Sequence, residues 1–434
     1  MLLFLVLLYN TLAAAGLCFL SPLLLPLIIA KAKRRDTFLQ RMGWCRYPWQ
    51  QSGSGPKMRR IWVHALSVGE VLAAQPLVNK LSRLNSDTQV LLTTSTLTGF
   101  QTAHRIFTHH GVDLAYFPYD TIWSVRSVAN TVNPTHVIIT ETDIWPTFLW
   151  EMKRRNVPVY LVNLRISQRT ERGYNRFKGV VRRVYAGFDQ VCVQTRKEMA
   201  ILTALGVSPE CICITGNLKF DGAHISNSLD CEADWRNRLH LTKGHRVIVA
   251  GSTHEGEEAI VFKALRPLLS KHSDVSLVVA PRDPGRGRAV LFQSRQYGLD
   301  ARLLSHRMKG GGKACPQVLV VDQLGVLKAL YCLAAVAFVG GSMVPSGGHN
   351  PLEPAHWAKP ILFGKDMRDF DVIAGYLLSG GAALQIDDTE HLRSVVETLL
   401  NDPQLAAVMG KSALKVFRSH QGAVDRTLSC LNLG

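Results

Sequence analysis

The sequence predicts an α/β protein with two doubly wound domains behind an uncharged N-terminal segment. Three observations carry that reading. From about residue 58 onward, short apolar runs rich in β-branched residues alternate with amphipathic stretches of helical period. The runs lack polar alternation, which marks strands buried on both faces and therefore parallel sheets. The pattern occurs twice, on either side of a polar stretch at 222–245, GAHISNSLDCEADWRNRLHLTKGH.

Residues 1–30 carry no charge, and Lys31, Lys33, Arg34 and Arg35 follow directly. A helix crosses hydrocarbon with about 20 apolar residues, so this stretch is long enough despite Asn10, Thr11 and Ser21. Pro22 and Pro26 can bend or end such a helix. A cleaved leader would place basic residues ahead of the apolar run, and here none precede it. Residues 1–30 are therefore expected to form a membrane anchor helix, with the positive flank holding the remainder on the cytoplasmic side.

The first Rossmann-like domain is expected over 36–225. Its strands fall at Ile61–His64, Val90–Thr93, His136–Thr140, Pro158–Val162 and Gln190–Val193. The second is expected over 240–434, with strands at Val247–Ala250, Ser276–Ala280, Val318–Val321, Val336–Val339 and Pro360–Phe363. Helix-like stretches such as Val71–Leu84 and Glu257–Leu269 lie between. Open α/β sheets bind ligands beyond the carboxyl ends of their strands. Two such domains facing across a cleft would bury a site there.

Of the 434 residues, 47% are hydrophobic and 19% charged, which excludes a disordered chain. The formal charge of +17 favours an anionic partner: nucleic acid, a membrane surface or a phosphorylated substrate. Ten basic residues between Lys153 and Arg183 face one acid, Glu171. That imbalance suits an anionic lipid surface or a phosphorylated ligand. Nucleic acid is not expected, because no binding motif is present and few aromatics are interleaved. The nine cysteines are irregularly spaced, with no C-x-x-C. Neither a disulfide framework nor a zinc site is expected, and a reducing compartment fits. Cys211 and Cys213 read as alternating along one strand.

Six motifs follow strands. His64-Ala65-Leu66-Ser67-Val68-Gly69-Glu70 puts a carboxylate at a helix start, where the dipole stabilises the anion. Glu141-Thr142-Asp143-Ile144-Trp145-Pro146 offers two carboxylates, for chemistry or for capping the helix that Pro146 begins. Thr215–Asp221 carries Lys219, a point charge suited to phosphate or carboxylate. Gly251–Glu258 is a Gly/Ser/Thr turn, an anion cradle or a plain cap, without P-loop or dinucleotide spacing. Pro281-Arg282 ends a strand with a phosphate-binding guanidinium. Val339–Ser342 and Gly347–Pro354 hold two glycine pairs with His349, Asn350 and Glu353, where backbone can approach a ligand and Glu353 can accept ribose hydroxyls. Asp369-Phe370-Asp371 is a common D-x-D, and no metal is expected.

Taken in order, S-V-G-E (67–70), F-P-Y-D (117–120), E-T-D-I-W-P (141–146), N-L-R-I-S-Q-R (163–169), G-N-L-K-F-D (216–221), S-T-H-E-G-E-E (252–258), P-R (281–282), F-V-G-G-S (338–342) and G-G-H-N-P-L-E-P (347–354) resemble the 3-deoxy-D-manno-octulosonic acid (Kdo) transferase family of lipopolysaccharide assembly. The resemblance implies a glycosyltransferase-B fold and inverting transfer of Kdo from CMP-Kdo to a lipid A precursor, with no cofactor. It implies Glu70 as general base, with Glu141 and Lys219 supporting the transition state. It further implies nucleotide binding by Pro281 and Arg282, by Gly325, Val326 and Leu327, and by Asn350, Pro351, Leu352 and Glu353. Three positions depart from the family pattern: Asp143 and Val326 where Glu is usual, and Asp283 where His is frequent. A transferase using a UDP-sugar donor on a lipid-linked acceptor is the alternative enzyme. A basic membrane-tethered scaffold is the non-enzymatic one, and it leaves Glu70, Glu141 and the glycine pairs without a purpose.

Overall fold

The computed structural model describes residues 9–11, 32–44, 47, 58–108, 111–141, 144–222, 231–308 and 315–433. The chain divides into two compact units, Met1–Gly222 with Gln421–Gly434, and Ala223–His420. Within the described residues each unit holds one seven-stranded sheet, parallel throughout.

In the first unit the strands are β1 (Arg59–His64), β2 (Thr88–Thr94), β3 (Val112–Tyr116), β4 (His136–Thr140), β5 (Val159–Leu164), β6 (Gln190–Val193) and β7 (Ile212–Ile214). They lie in the order β3-β2-β1-β4-β5-β6-β7. In the second unit they are β8 (Arg246–Thr253), β9 (Val275–Pro281), β10 (Ala301–Leu303), β11 (Val318–Val320), β12 (Ala334–Val339), β13 (Ile361–Phe363) and β14 (Ala383–Gln385). Their order is β10-β11-β9-β8-β12-β13-β14. Each sheet thus reverses direction beside its first strand, between β1 and β4 and between β8 and β12. Those reversals are the places where an open α/β sheet opens a crevice.

Burial on both faces follows from the sequence of the central strands. In β1, Ile61 and Val63 enter the apolar layer formed with Val71, Leu77 and Leu81 of the following helix. Trp62 points the other way, against Phe148 and Phe117 at centroid distances of 5.0 and 5.9 Å. In β8, Ile248 and Ala250 face one layer while Val247 and Val249 face the other. Truncating one of these fully buried side chains costs about 2–5 kcal/mol.

The expected second domain ran to 434, but the structure returns the last stretch to the first unit. The helix Ala423–Cys430 and the residues after it bury Val424, Leu428, Leu431 and Leu433 in the same layer as Val71 and Leu77. Its amphipathic pattern specifies an apolar face but not the sheet that the face covers. The Asp221 carboxylate accepts the backbone N–H groups of Gly422 and Val424, both at 2.7 Å, and so caps this helix. Arg426 donates to the Thr215 carbonyl at 2.9 Å, and Lys80 pairs with Asp425. Cys213 of β7 and Cys430 form a disulfide, their Cα atoms 6.6 Å apart. No disulfide was expected: the partners are 217 residues apart, and only the returning tail makes them neighbours. Cys211 lies in a short 3-10 turn ahead of β7 and not within it.

Of the expected junction at 222–245, residues 223–230 lie outside the described residues, and Cys231–Arg238 is helical. The expected anchor at 1–30 also lies outside them, except for 9–11. Among the described residues no helix is long and apolar enough to cross a membrane. Asn10 is buried in the first unit, donating to Thr147 Oγ1 at 2.8 Å and accepting from the Ile122 N–H at 3.0 Å. Beside it, the Asp120 carboxylate accepts the N–H groups of Thr147 (3.1 Å) and Phe148 (2.8 Å). Asp120, from F-P-Y-D, therefore caps the first turn of the helix Pro146–Arg154.

Two outcomes follow from these carboxylates. Asp221→Ala is expected to destabilise the protein by about 1–2 kcal/mol in denaturant unfolding and to speed amide exchange over 423–430. Burial pushes Asp120 up to about 6, against the lowering by the Thr147 and Phe148 N–H groups. The native state then binds this proton more tightly than the unfolded chain. Its stabilising contribution is complete below the ordinary aspartate range and is lost as pH rises through 6. Relative to Asp120→Asn, the wild type should lose up to about 3 kcal/mol between pH 4 and 7, read from paired unfolding curves.

Candidate functional site

In the first unit, Ser67 ends the loop after β1 in extended conformation (φ −125°, ψ 174°), and the helix Val68–Leu81 begins. Glu70 sits in its first turn and is 9% exposed. Its Oε2 accepts the Leu66 N–H at 2.7 Å, and the Ser67 hydroxyl lies 3.5 Å from Oε1. The Thr140 hydroxyl, at the end of β4, sits between the His64 carbonyl (3.0 Å) and Glu70 Oε2 (3.3 Å). Glu70 thus spans the reversal between β1 and β4. Below it, the buried His64 ring stacks on Phe117 with centroids 3.9 Å apart.

Glu141 follows Thr140 with φ +61°, and Asn163 at the end of the adjacent β5 has φ +60°. The β5–β6 register slips between Leu161 and Leu164, which gives the chain room for that left-handed residue. The Asn163 side chain donates to Glu141 Oε1 at 3.5 Å and accepts the Leu218 N–H at 3.0 Å. Its carbonyl accepts from Gln194 at 3.0 Å. Lys219 opens the short helix Lys219–Gly222, its N–H bound to Asn217 Oδ1 at 3.0 Å. Gly222 packs on Pro76 of the Glu70 helix, with a Cβ there 3.6 Å from the ring. A chain of polar contacts therefore runs from Glu70 through Thr140–Glu141 and Asn163 to Leu218–Lys219, along the carboxyl edge of the sheet. Thr142 and Asp143 lie outside the described residues.

Asn163 and Asp120 were quoted in motifs but given no role by sequence reasoning. A signal for Asn163 was present: an amide interrupts the apolar run Val159–Leu164, where a buried polar group needs partners.

In the second unit, Glu257 opens the helix Glu257–Lys271 and is fully buried. Its carboxylate accepts N–H groups from His254 (3.1 Å), Gly341 (2.7 Å), Ser342 (3.0 Å) and Met343 (2.9 Å). Burial pushes its carboxyl up, and those four N–H groups oppose the shift. The sequence left the 251–258 turn open as an anion cradle. One of the four N–H groups on Glu257, that of His254, belongs to this turn, and the other three come from the loop after β12. Glu258 is also buried, paired with Arg286 at 2.8 Å. The glycine pairs are likewise filled by the chain itself. A Cβ at Gly340 would stand 2.6 Å from the Ser252 carbonyl, at Gly347 2.6 Å from Asp369, and at Gly348 2.5 Å from Met367 Sδ. Asp369 of the D-x-D therefore backs a turn.

Around that frame stand the residues singled out for a nucleotide. Pro281 ends β9, and Arg282, exposed, is tied back by its N–H to the Thr253 carbonyl at 2.9 Å. Gly325 has φ +84° with open space around it, and Val326 precedes the short helix Leu327–Leu330. Leu327 packs over the end of β8, where a Cβ on Gly251 would meet its Cδ1 at 3.0 Å. Asn350 Oδ1 accepts the Leu352 N–H at 3.1 Å, turning Pro351 and Leu352 into the helix that carries Glu353. Burial pushes Glu353 up, while Lys328 and Arg282 pull it down, so these three act on one another. His254 and His349 meet through their Nε2 atoms at 2.7 Å. Asp283 caps the turn after Arg282 by accepting the Gly285 N–H at 2.9 Å.

Residues 36–222 match the family described as 3-Deoxy-D-manno-octulosonic-acid transferase (kdotransferase). A 3-deoxy-D-manno-octulosonic acid transferase of Haemophilus influenzae is 31% identical over 415 residues, 95% of each chain. One from Bordetella pertussis is 31% identical over 385 residues, 87% of each. Among solved structures, the UDP-GlcNAc 2-epimerase of Neisseria meningitidis bound to UDP-GlcNAc aligns with a TM-score of 0.59 at 13% identity, over 87% of this chain and all of that one. That likeness shows the two-unit glycosyltransferase-B fold.

Asn163→Ala removes the group that joins the Glu141 and Lys219 segments and strands the buried Leu218 N–H. The expected cost is about 1–3 kcal/mol of stability. Amide exchange should accelerate over 216–222 more than over 423–430, as measured by mass spectrometry.

Proposed function

The chain belongs to the 3-deoxy-D-manno-octulosonic-acid transferase family, and from that membership we propose that it moves Kdo from CMP-Kdo to the lipid A precursor lipid IVA. The observation that carries the reading is the alignment of Glu70, Glu141 and the Lys219 segment along one carboxyl edge. An inverting transfer needs a base for the acceptor hydroxyl. Glu70 suits that role: its carboxylate accepts the Leu66 N–H and lies beside the Ser67 and Thr140 hydroxyls, which can turn away as a substrate hydroxyl arrives. Lys219 supplies positive charge on the same edge, and Glu141 is held by Asn163. The second unit takes the nucleotide, through Pro281 and Arg282, Gly325–Leu327 and Asn350–Glu353. Arg282 and Lys328 supply charge against the leaving phosphate. The reaction so drawn uses no cofactor and no metal.

The proposed setting is the cytoplasmic side of the inner membrane, with residues 1–30 as the tether. The helices Gln168–Arg176 and Lys178–Tyr185 support an anionic membrane surface as partner. They expose Arg169, Arg172, Arg176, Lys178, Arg182 and Arg183 around Phe177 (60% exposed) and Val180 (45%). Basic residues around an exposed aromatic suit a headgroup layer.

Glu70→Gln keeps the Leu66 and Thr140 contacts available but cannot accept a proton. Transfer from CMP-Kdo to lipid IVA, followed by mass spectrometry of the lipid product, is expected to fall at least about 10²–10⁴-fold with the unfolding midpoint nearly unchanged. Wild-type turnover in this variant would remove Glu70 from the role. Absence of any Kdo-bearing lipid from the wild type would remove the donor–acceptor assignment.

A further inference from the structure

The loops after β8 and β12 bring two imidazoles of the second unit together. His254 Nε2 lies 2.7 Å from His349 Nε2, with the rings 13° from parallel and their centroids 5.0 Å apart. A contact that short between ring nitrogens needs a proton on one and a lone pair on the other. Gly341 (φ +69°) makes room for it: a Cβ there would stand 3.0 Å from the His349 ring and 3.4 Å from that of His254.

The charged and titratable groups around the pair come from each neighbouring element. Arg282, after β9, acts on His349 directly. The Glu257 carboxylate is occupied by four backbone N–H groups, including that of His254. The Ser346 hydroxyl is 3.4 Å from His254 Nδ1. After β13, Asp366 takes the Gly347 N–H and pairs with Arg368, while Asp369 backs Gly347. Burial pushes the Glu353 carboxyl up, and Lys328 and Arg282 oppose that shift. Burial, then Arg282 and His254, push His349 down to about 4. The nearby carboxylates are thus engaged, the guanidinium is exposed, and His349 stands neutral at physiological pH.

Resting on the reading of this unit as the nucleotide-binding one, we propose that His254 and His349 form a proton-accepting phosphate subsite. A phosphomonoester dianion seated beside Arg282 brings negative charge that opposes the burial and the positive field keeping His349 neutral. One proton then passes from solvent to the pair, and the nitrogen-to-nitrogen contact opens. Each Nε2–H donates to a phosphate oxygen. No other bond is made or broken. In turnover the same two donors meet the charge that grows on the departing cytidylate.

The sign of proton exchange tests this. A phosphate held by a guanidinium alone loses proton affinity, so binding near its second pKa of about 6 releases protons. A subsite that includes the pair takes them up. Calorimetry of CMP binding at pH 7 in buffers of different ionisation enthalpy should show uptake approaching one proton per CMP. Inorganic phosphate should bind more weakly with uptake of the same sign, and cytidine with none. In His349→Gln and in His254→Gln, uptake should vanish and CMP affinity fall about tenfold, with circular dichroism unchanged. CMP binding by the wild type with release or no exchange overturns this inference alone, as does unchanged uptake in His349→Gln. Failure of CMP to bind the wild type at all overturns it together with the nucleotide reading.

Discussion

Each unit depends on one carboxylate placed in the first turn of the helix after its first strand. A parallel sheet that reverses direction leaves two loops diverging at the reversal, and their backbone groups need partners. Glu70 and Glu257 meet that need in the same way. Each follows a glycine, Gly69 or Gly256; Glu70 lies six residues beyond His64 at the end of β1, and Glu257 four beyond Thr253 at the end of β8. Glu70 reaches the Thr140 hydroxyl after β1 and β4 diverge, and Glu257 reaches Gly341, Ser342 and Met343 after β8 and β12 diverge. The outcome differs. Glu257 is surrounded by four backbone N–H groups and sealed from solvent, so it serves as a fixed internal anion. Glu70 accepts the Leu66 N–H beside the Ser67 and Thr140 hydroxyls, at the carboxyl edge of its sheet. The same device gives a loop clamp in one unit and a candidate base in the other.

The Lys219 segment is held from two directions. On the sheet side Asn163 takes the Leu218 N–H. On the other side the returning tail binds Asp221 through two N–H groups and Thr215 through Arg426. The Cys213–Cys430 disulfide closes the same connection one turn away. A lysine ammonium is a mobile point charge on a flexible stem. Fixing the backbone beneath it from both sides is how the fold limits where that charge can go.

The ten strands legible in the sequence are the interior ones. Of the rest, β3, β10 and β14 carry no strand signal, and β7 shows only the alternation of Cys211 with Cys213. These four are the two edges of each sheet. An edge strand has a neighbour on one side only, so its sequence need not be apolar on both faces; Val112 and Asp113 of β3 and Leu384 and Gln385 of β14 keep substantial exposure. Most of the motifs follow interior strands, whose ends are sharply marked; F-P-Y-D and the Lys219 motif, which follow the edge strands β3 and β7, are marked by their own residues instead. What sequence could not supply was partnership. The two glycine pairs read as backbone open to a ligand, yet protein atoms occupy the space a side chain would take at Gly340, Gly347 and Gly348. The Glu141–Pro146 motif left its carboxylates open to chemistry or to capping, and the cap that the structure supplies to the helix at Pro146 is Asp120, 26 residues upstream in sequence and adjacent only in the fold.

Backbone strain shows where the fold spends stability. Glu141, Asn163 and Ser252 take φ of +61°, +60° and +57° at the carboxyl ends of β4, β5 and β8. Asn133, by contrast, takes its left-handed turn as a helix C-cap, where that conformation is routine. A left-handed non-glycine costs about 1–3 kcal/mol and persists only where its surroundings over-determine it. Asn163 is over-determined by bonds to Glu141, Leu218 and Gln194, and the β5 register slips to admit it. Ser252 sits in a matching slip between β8 and β9, next to the loop that carries His254. In both units the strand end is turned out of its ladder at the point where the polar side chains begin. Groups held that way need not be reordered when a substrate arrives, which is the condition under which positioned charge lowers a barrier.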